Sequence, residues 1–178
     1  MALATVRRAV DGDVDALLRI QSDTWRAAYA ELVPAEALAQ LSTPAAREAW
    51  KAAVGAGGGH HVFVAVEGEW TVGFCAAAHY GGADIADIAE VSTLLVEPRW
   101  GRRGHGGRLL AAAAEALRGH GASVGQAWIP EEDAVSRAFY GHAGWEADGA
   151  VRGLDTGAGL LREVRLSGPL DLRLREPH

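Results

Sequence analysis

The order of periodic segments along the 178 residues predicts an α/β protein. Apolar residues recur at helical spacing up to Val54, β-type runs take over at His61, and from Ile88 strands and helices alternate toward the end. Residues 4–9 read as a short edge strand. Asp11 or Asp13 caps a helix that carries Val14, Leu17, Leu18, Ile20 and Trp25 and reaches Tyr29. Pro34 and Pro44 stand where a first helical turn tolerates proline, which predicts a short helix ending near Leu41 and another ending near Val54. Gly55, Gly57, Gly58 and Gly59 then break the pattern.

The run VFVAV from Val62 and the run TVGFCAAAHY from Thr71, joined through Gly68, Glu69 and Trp70 as a turn, predict a hairpin. Gly81, Gly82 and Asp84 mark a loop. A core strand follows from Ile88 to Val96, stopped by Pro98. A helix from about Gly104 to Arg118 places Leu109, Leu110, Ala113, Ala114 and Leu117 on one face. Residues 123–129 form another core strand, residues near Glu131 to His142 a helix closed by Ala143 and Gly144, and apolar runs near Val151 and at Leu160–Leu166 end the chain. With no internal repeat or linker, residues 1–178 read as one domain.

Composition narrows the function. The single cysteine, Cys75, excludes an internal disulfide framework and a multi-thiolate zinc site, and it favours a reducing compartment, the cytoplasm by default. No metal is expected: His60 and His61 read as a surface pair with no carboxylate at ligand spacing. No apolar run approaches the roughly 18 residues of a membrane span, and nothing resembles a signal peptide. A formal charge of −6 argues against nucleic acid or anionic lipid as a partner.

Of 17 basic residues only Lys51 is lysine, a skew that base composition explains for scattered arginines. Arg99, Arg102, Arg103 and Arg108 are different, because they share ten residues with Gly101, Gly104, Gly106 and Gly107. A strand feeding a glycine-rich turn into a helix aims unpaired backbone N–H groups and the positive helix end at one point, which suits phosphate. The alternative is a glycine-rich loop with solvated arginines. A Walker-type loop is excluded because the one lysine lies elsewhere, and a dinucleotide fingerprint because residue 109 is leucine rather than glycine.

The stretch EVSTLLVEPRWGRRGHGGRLL, from Glu90 to Leu110, resembles the acetyl-CoA-binding signature of the GNAT family of N-acetyltransferases, a Leu-x-Val-x-Pro strand end followed by a pyrophosphate loop. Gly104 and Gly106 match its two small positions, and Gly101 stands where the family usually has Gln or Arg. SRAFYGHAGW, from Ser136 to Trp145, resembles the carboxy-proximal motif, with Asp133 where Asn is common. DTWRAAYAELVP, from Asp23, resembles the first helix and the loop beside the acceptor site.

The resemblance implies a strongly bent mixed sheet with helices on both faces and acetyl-CoA as cosubstrate. It implies pantetheine contacts at Leu94, Leu95 and Val96, and pyrophosphate contacts at Arg102, Arg103, Gly104, His105, Gly106, Gly107 and Arg108. Asp133 is a further cofactor position. The implied reaction is direct attack of a primary amine on the thioester, with Tyr140 as general acid; a helix-to-core aromatic is the alternative for that residue. Cys75, in the hairpin and away from the cofactor loop, is not expected to carry a covalent route. Glu90 is the candidate base, with Asp84 and Asp87 able to attract a cationic acceptor, or all three are solvated strand-end carboxylates. Trp25 and Tyr29, four apart on one helical face, wall the acceptor site or simply pack; His79 and Tyr80 are weaker candidates of the same kind. The acceptor is a small-molecule amine or a protein N-terminus, and a homodimer is compatible with the family. A rival is a non-catalytic sensor of acetyl-CoA or CoA on the same fold.

Overall fold

The structure, a computed structural model, describes residues 3–79 and 87–172. The elements are β1 (Ala4–Arg8), α1 (Val14–Tyr29), α2 (Ala35–Ala39), α3 (Pro44–Gly55), β2 (His60–Glu67), β3 (Trp70–Ala78) and β4 (Ile88–Val96), followed by α4 (His105–Gly119), β5 (Val124–Pro130), α5 (Ala134–His142), β6 (Glu146–Asp155) and β7 (Leu160–Pro169). The strands form one mixed seven-stranded sheet in the order β1-β2-β3-β4-β5-β7-β6. Every neighbouring pair is antiparallel except β4 and β5. The expected loop at Gly81, Gly82 and Asp84, with Tyr80, lies outside the described residues.

Alternation along the strands separates two cores. Val62, Val64, Phe74 and Ala76 face α1 and α3, where Leu17, Ile20, Trp50 and Val54 meet them. Phe63, Ala65, Cys75, Ala77, Ala89 and Val91 point the other way, onto Leu109, Leu110, Ala113 and Leu117 of α4 and Tyr140 of α5. Trp145 closes this second core over paired glycines: Gly125 of β5 and Gly168 of β7 are register partners, and a Cβ at either would collide with its indole. The indole N–H donates to the Pro169 carbonyl at 3.0 Å.

Four local expectations need correction. The Asp13 side chain makes no helix-cap hydrogen bond; it accepts from the Val10 N–H at 2.8 Å and pairs with Arg7. The hairpin turn is Gly68-Glu69, with Gly68 at φ +62°, and Trp70 already pairs with Glu67. α5 starts three residues later than the apolar spacing indicates, because Asp133 accepts the Ser136 N–H at 2.9 Å and so fixes the first turn. His61 is not at the surface: it is buried beside Phe63 and His120, and its Nδ1 meets Arg8 at 3.0 Å.

Candidate active site

The parallel pairing of β4 with β5 is confined to Ile88–Val124, Ala89–Gly125 and Glu90–Gln126. Beyond it β4 continues to Val96 and β5 to Pro130 with no pairing between them. The divergence begins beside a bulge: β3 pairs Ala77 with Val91 and then Ala76 with Thr93, which leaves Ser92 extra, its hydroxyl donating to the Ala76 carbonyl at 3.1 Å. Such a bulge bends its strand and sharpens the twist. Leu94, Leu95 and Val96 therefore stay tied to Cys75, Phe74 and Gly73 of β3, while the backbone groups on their other edge have no strand partner. A gap in the pairing results between two strands of one sheet, and it leaves strand-type hydrogen-bonding groups of β4 without a strand partner.

Directly after β4 the chain passes Pro98–Trp100, then turns through Arg102 at φ +61° and Gly104 at φ +83° into α4. Both residues are left-handed, and glycine takes that conformation without a steric penalty. The first intrahelical bond runs from the Arg108 N–H to the Gly104 carbonyl at 3.1 Å. The N–H groups of His105, Gly106 and Gly107 have no partner among the described residues, so three donors and the positive end of a 15-residue helix come together a few residues after β4.

Side chains in the loop mostly brace it. His105 is 1 % exposed, and its Nε2 meets Glu67 at 2.7 Å. Arg108 can only donate, so its contact with His105 Nδ1 at 3.1 Å makes that nitrogen the acceptor and leaves Nε2–H to donate to Glu67. Arg108 also donates to the Arg103 carbonyl at 3.1 Å, and Arg103 pairs with Glu67 at 2.8 Å while stacking over Trp100. The His105 and Arg103 hydrogen bonds hold the Glu67 carboxyl below its ordinary range. Arg102 alone of the loop cations is exposed and makes no ion pair among the described residues. Gly106 is small for packing, since a Cβ there would come within 3.0 Å of Phe139; at Gly107 it would meet nothing within 4 Å.

Tyr140 is 5 % exposed, stacked on Trp145 with ring centroids 5.2 Å apart. Burial pushes its phenol well above the ordinary value, with the nearby Cys75, Tyr29 and Asp133 adding in the same direction. Cys75 lies in the second core, close to Tyr140 and opposite Leu94, and burial pushes its thiol up to about 12. That thiol is a poor nucleophile. Glu90 is half-buried at the last β4–β5 pair and, between the core residues Ala89 and Val91, turns its side chain to the face of α1. Asp87 is exposed just before β4, three residues from Glu90, its carbonyl accepting the N–H groups of Ser123 and Val124.

Trp25 and Tyr29 meet edge to face at 4.9 Å. The Tyr29 hydroxyl donates to Asp133, so Asp133 is engaged by Tyr29 and by Ser136 rather than left pointing at a ligand. Neither this contact nor the bracing by Glu67 has a local sequence signal; both depend on strand register and on helix placement across the sheet.

Residues 58–147 match the acetyltransferase (GNAT) domain family, and the chain belongs to it. It is an acetyltransferase by that membership. The chain is 29 % identical over 132 residues, 74 % of each protein, to the uncharacterised N-acetyltransferase YuaI of Bacillus subtilis. Among solved structures it resembles the PaiA N-acetyltransferase of Thermoplasma acidophilum, determined with coenzyme A, at a TM-score of 0.76 and 16 % identity over 94 % of this chain and 99 % of that one. YncA of Salmonella typhimurium, determined with acetyl-CoA, is similar at a TM-score of 0.65 and 20 % identity over 99 % of both chains. The fold is theirs: a mixed sheet opened between two parallel strands, with helices on both faces. No helix of the described residues is long and apolar enough to cross a membrane.

Proposed function

We propose that the chain works as one domain that transfers acetyl from acetyl-CoA to a primary amine by direct attack, the amine being carried by a small molecule or a protein N-terminus. The observation that carries this reading is the gap in pairing between β4 and β5, with its unpaired strand edge, followed by three unpaired helix N–H groups. The amides of a pantetheine arm complement the unpaired edge of β4, and a pyrophosphate suits the helix end, so the residues present fit the cosubstrate.

When bound, acetyl-CoA supplies the activated acetyl group as a thioester. The backbone of Leu94–Val96 orients the arm, and a backbone N–H of β4 at the bulge polarises the carbonyl. The N–H groups of His105, Gly106 and Gly107, with Arg102, hold phosphate. Glu90, on the acceptor face where the gap begins, accepts the proton of the attacking amine, and Tyr140 gives its proton to the departing sulfur.

The test is release of free thiol from acetyl-CoA in the presence of a broad panel of primary amines. Amine-dependent release with sequential kinetics is expected. Tight binding of coenzyme A with no release from any amine would overturn transfer and establish the sensor instead.

A further inference from the structure

On the face of the sheet covered by α1 and α2, a cleft of about 470 Å³ lies between those helices and the end of the β6–β7 hairpin. Trp25, Val33, Leu38 and Leu41 form its helical wall, and Leu154 and Leu161 its hairpin wall. Its charged lining residues are Glu36 and Asp155, both exposed; among the described residues no lysine, arginine or histidine lines it. The volume is that of a small-molecule site. Trp25 connects the cleft to the reacting region, since its ring meets Tyr29 and Tyr29 bonds Asp133 near Tyr140.

We propose that this cleft selects the acceptor: a small primary amine with an aryl or branched-alkyl body and no carboxylate. The inference rests on the transferase reading above and specifies its substrate class. An apolar body would cover Trp25 and the leucines, and each methylene buried there should improve binding about fourfold until the cleft is filled. A carboxylate on the acceptor would bring a third negative charge toward Glu36 and Asp155, with no cation among the described lining residues to pair it, so free amino acids are disfavoured by both desolvation and repulsion. An ammonium group approaching the same rim is attracted.

The experiment compares phenethylamine with phenylalanine, and propylamine, butylamine and hexylamine with one another, in the full-length protein with acetyl-CoA saturating. Phenethylamine is expected to exceed phenylalanine at least tenfold in kcat/KM, and the alkyl series to rise with length. Leu154→Asp, a change at an already exposed position, should raise KM for phenethylamine at least fivefold with little change in kcat, and Glu36→Gln combined with Asp155→Asn should narrow the gap between phenethylamine and phenylalanine. Equal or better use of phenylalanine, or no dependence on alkyl length, overturns the selectivity while leaving transfer intact. Absence of thiol release from every amine overturns transfer and the selectivity with it.

Discussion

The Tyr29 hydroxyl donates to the carboxylate of Asp133, joining the end of α1 to the first turn of α5, 104 residues away in sequence. The same carboxylate accepts the Ser136 N–H at 2.9 Å and the Ser136 hydroxyl at 2.6 Å. One side chain thereby caps the helix that carries Tyr140 and engages the aromatic pair whose Trp25 lines the cleft. Asp133→Ala should cost about 1–2 kcal/mol in urea unfolding, from the lost cap and the stranded Tyr29 hydroxyl. Asp133→Asn keeps a cap oxygen and should stay within about 0.5 kcal/mol of the parent. Tyr29→Phe should raise KM for the amine and leave the affinity for coenzyme A unchanged. A Tyr29→Phe protein with parental amine kinetics would remove Tyr29 from the acceptor site.

Tyr140→Phe preserves the ring stacked on Trp145, so its effect isolates the hydroxyl. Turnover should fall about 100-fold, in the usual range for loss of a general acid, with KM for acetyl-CoA within about twofold. Because burial raises the phenol far above its ordinary value, the proton is in place throughout the neutral range. The pH profile of kcat should therefore show no alkaline fall up to about pH 9 that the Phe variant abolishes. Parental turnover in the variant would assign Tyr140 to core packing.

At the loop, Gly104 and Gly107 should behave oppositely. Gly104 sits at φ +83°, and an added Cβ would come within 2.9 Å of the Arg108 guanidinium that ties the loop to Arg103. Gly104→Ala should cost about 1–2 kcal/mol of stability and weaken coenzyme A binding at least tenfold by calorimetric titration. Gly107 lies in the first turn of α4, where a Cβ meets nothing, and Gly107→Ala should stabilise the fold by about 0.5–1 kcal/mol in a thermal melt. Unaltered titration of the Gly104 variant would sink the assignment of this loop to the cosubstrate.

How much of this was legible in the chain depends on whether the cause is local. The strand into Val96, the left-handed glycine at 104 and the apolar face of α4 follow from periodicity and from residue type within one turn. So does the Trp25–Tyr29 pair, because residues four apart share a helical face. The start of α5 was misplaced because three competing polar residues precede it and only the hydrogen bond from Ser136 singles out Asp133. His61 looked like half of a surface pair, yet the alternation of β2 sends one histidine of any such pair inward. The Arg102–Arg108 cluster looked like a ring of free cations. Register instead places Glu67, at the end of β2, against Arg103 and His105, so part of that charge is spent within the loop's own framework. The bulge at Ser92, beside which β4 and β5 part, has no signature in residue type.

The ion pair of Arg7 and Asp13 makes acid stability predictable in sign. Arg7 donates twice, at 2.8 and 3.0 Å, and the Val10 N–H donates a third bond at 2.8 Å. The guanidinium hydrogen bonds hold the Asp13 carboxyl below its ordinary value against the opposing effect of burial. A carboxylate lowered by folding contributes stability that is complete above the unfolded value of about 3.9 and is lost as pH falls through the lower, folded value. Asp13→Asn should therefore be less stable than the parent by about 1–2 kcal/mol at pH 7, a figure reduced for the solvent exposure of Arg7. The deficit should stay constant down to about pH 5 and shrink below about pH 4, the two urea midpoints converging as the parent's carboxylate takes up its proton. A deficit that is the same at pH 3 as at pH 7 would show that Asp13 acts through shape and hydrogen bonding rather than charge.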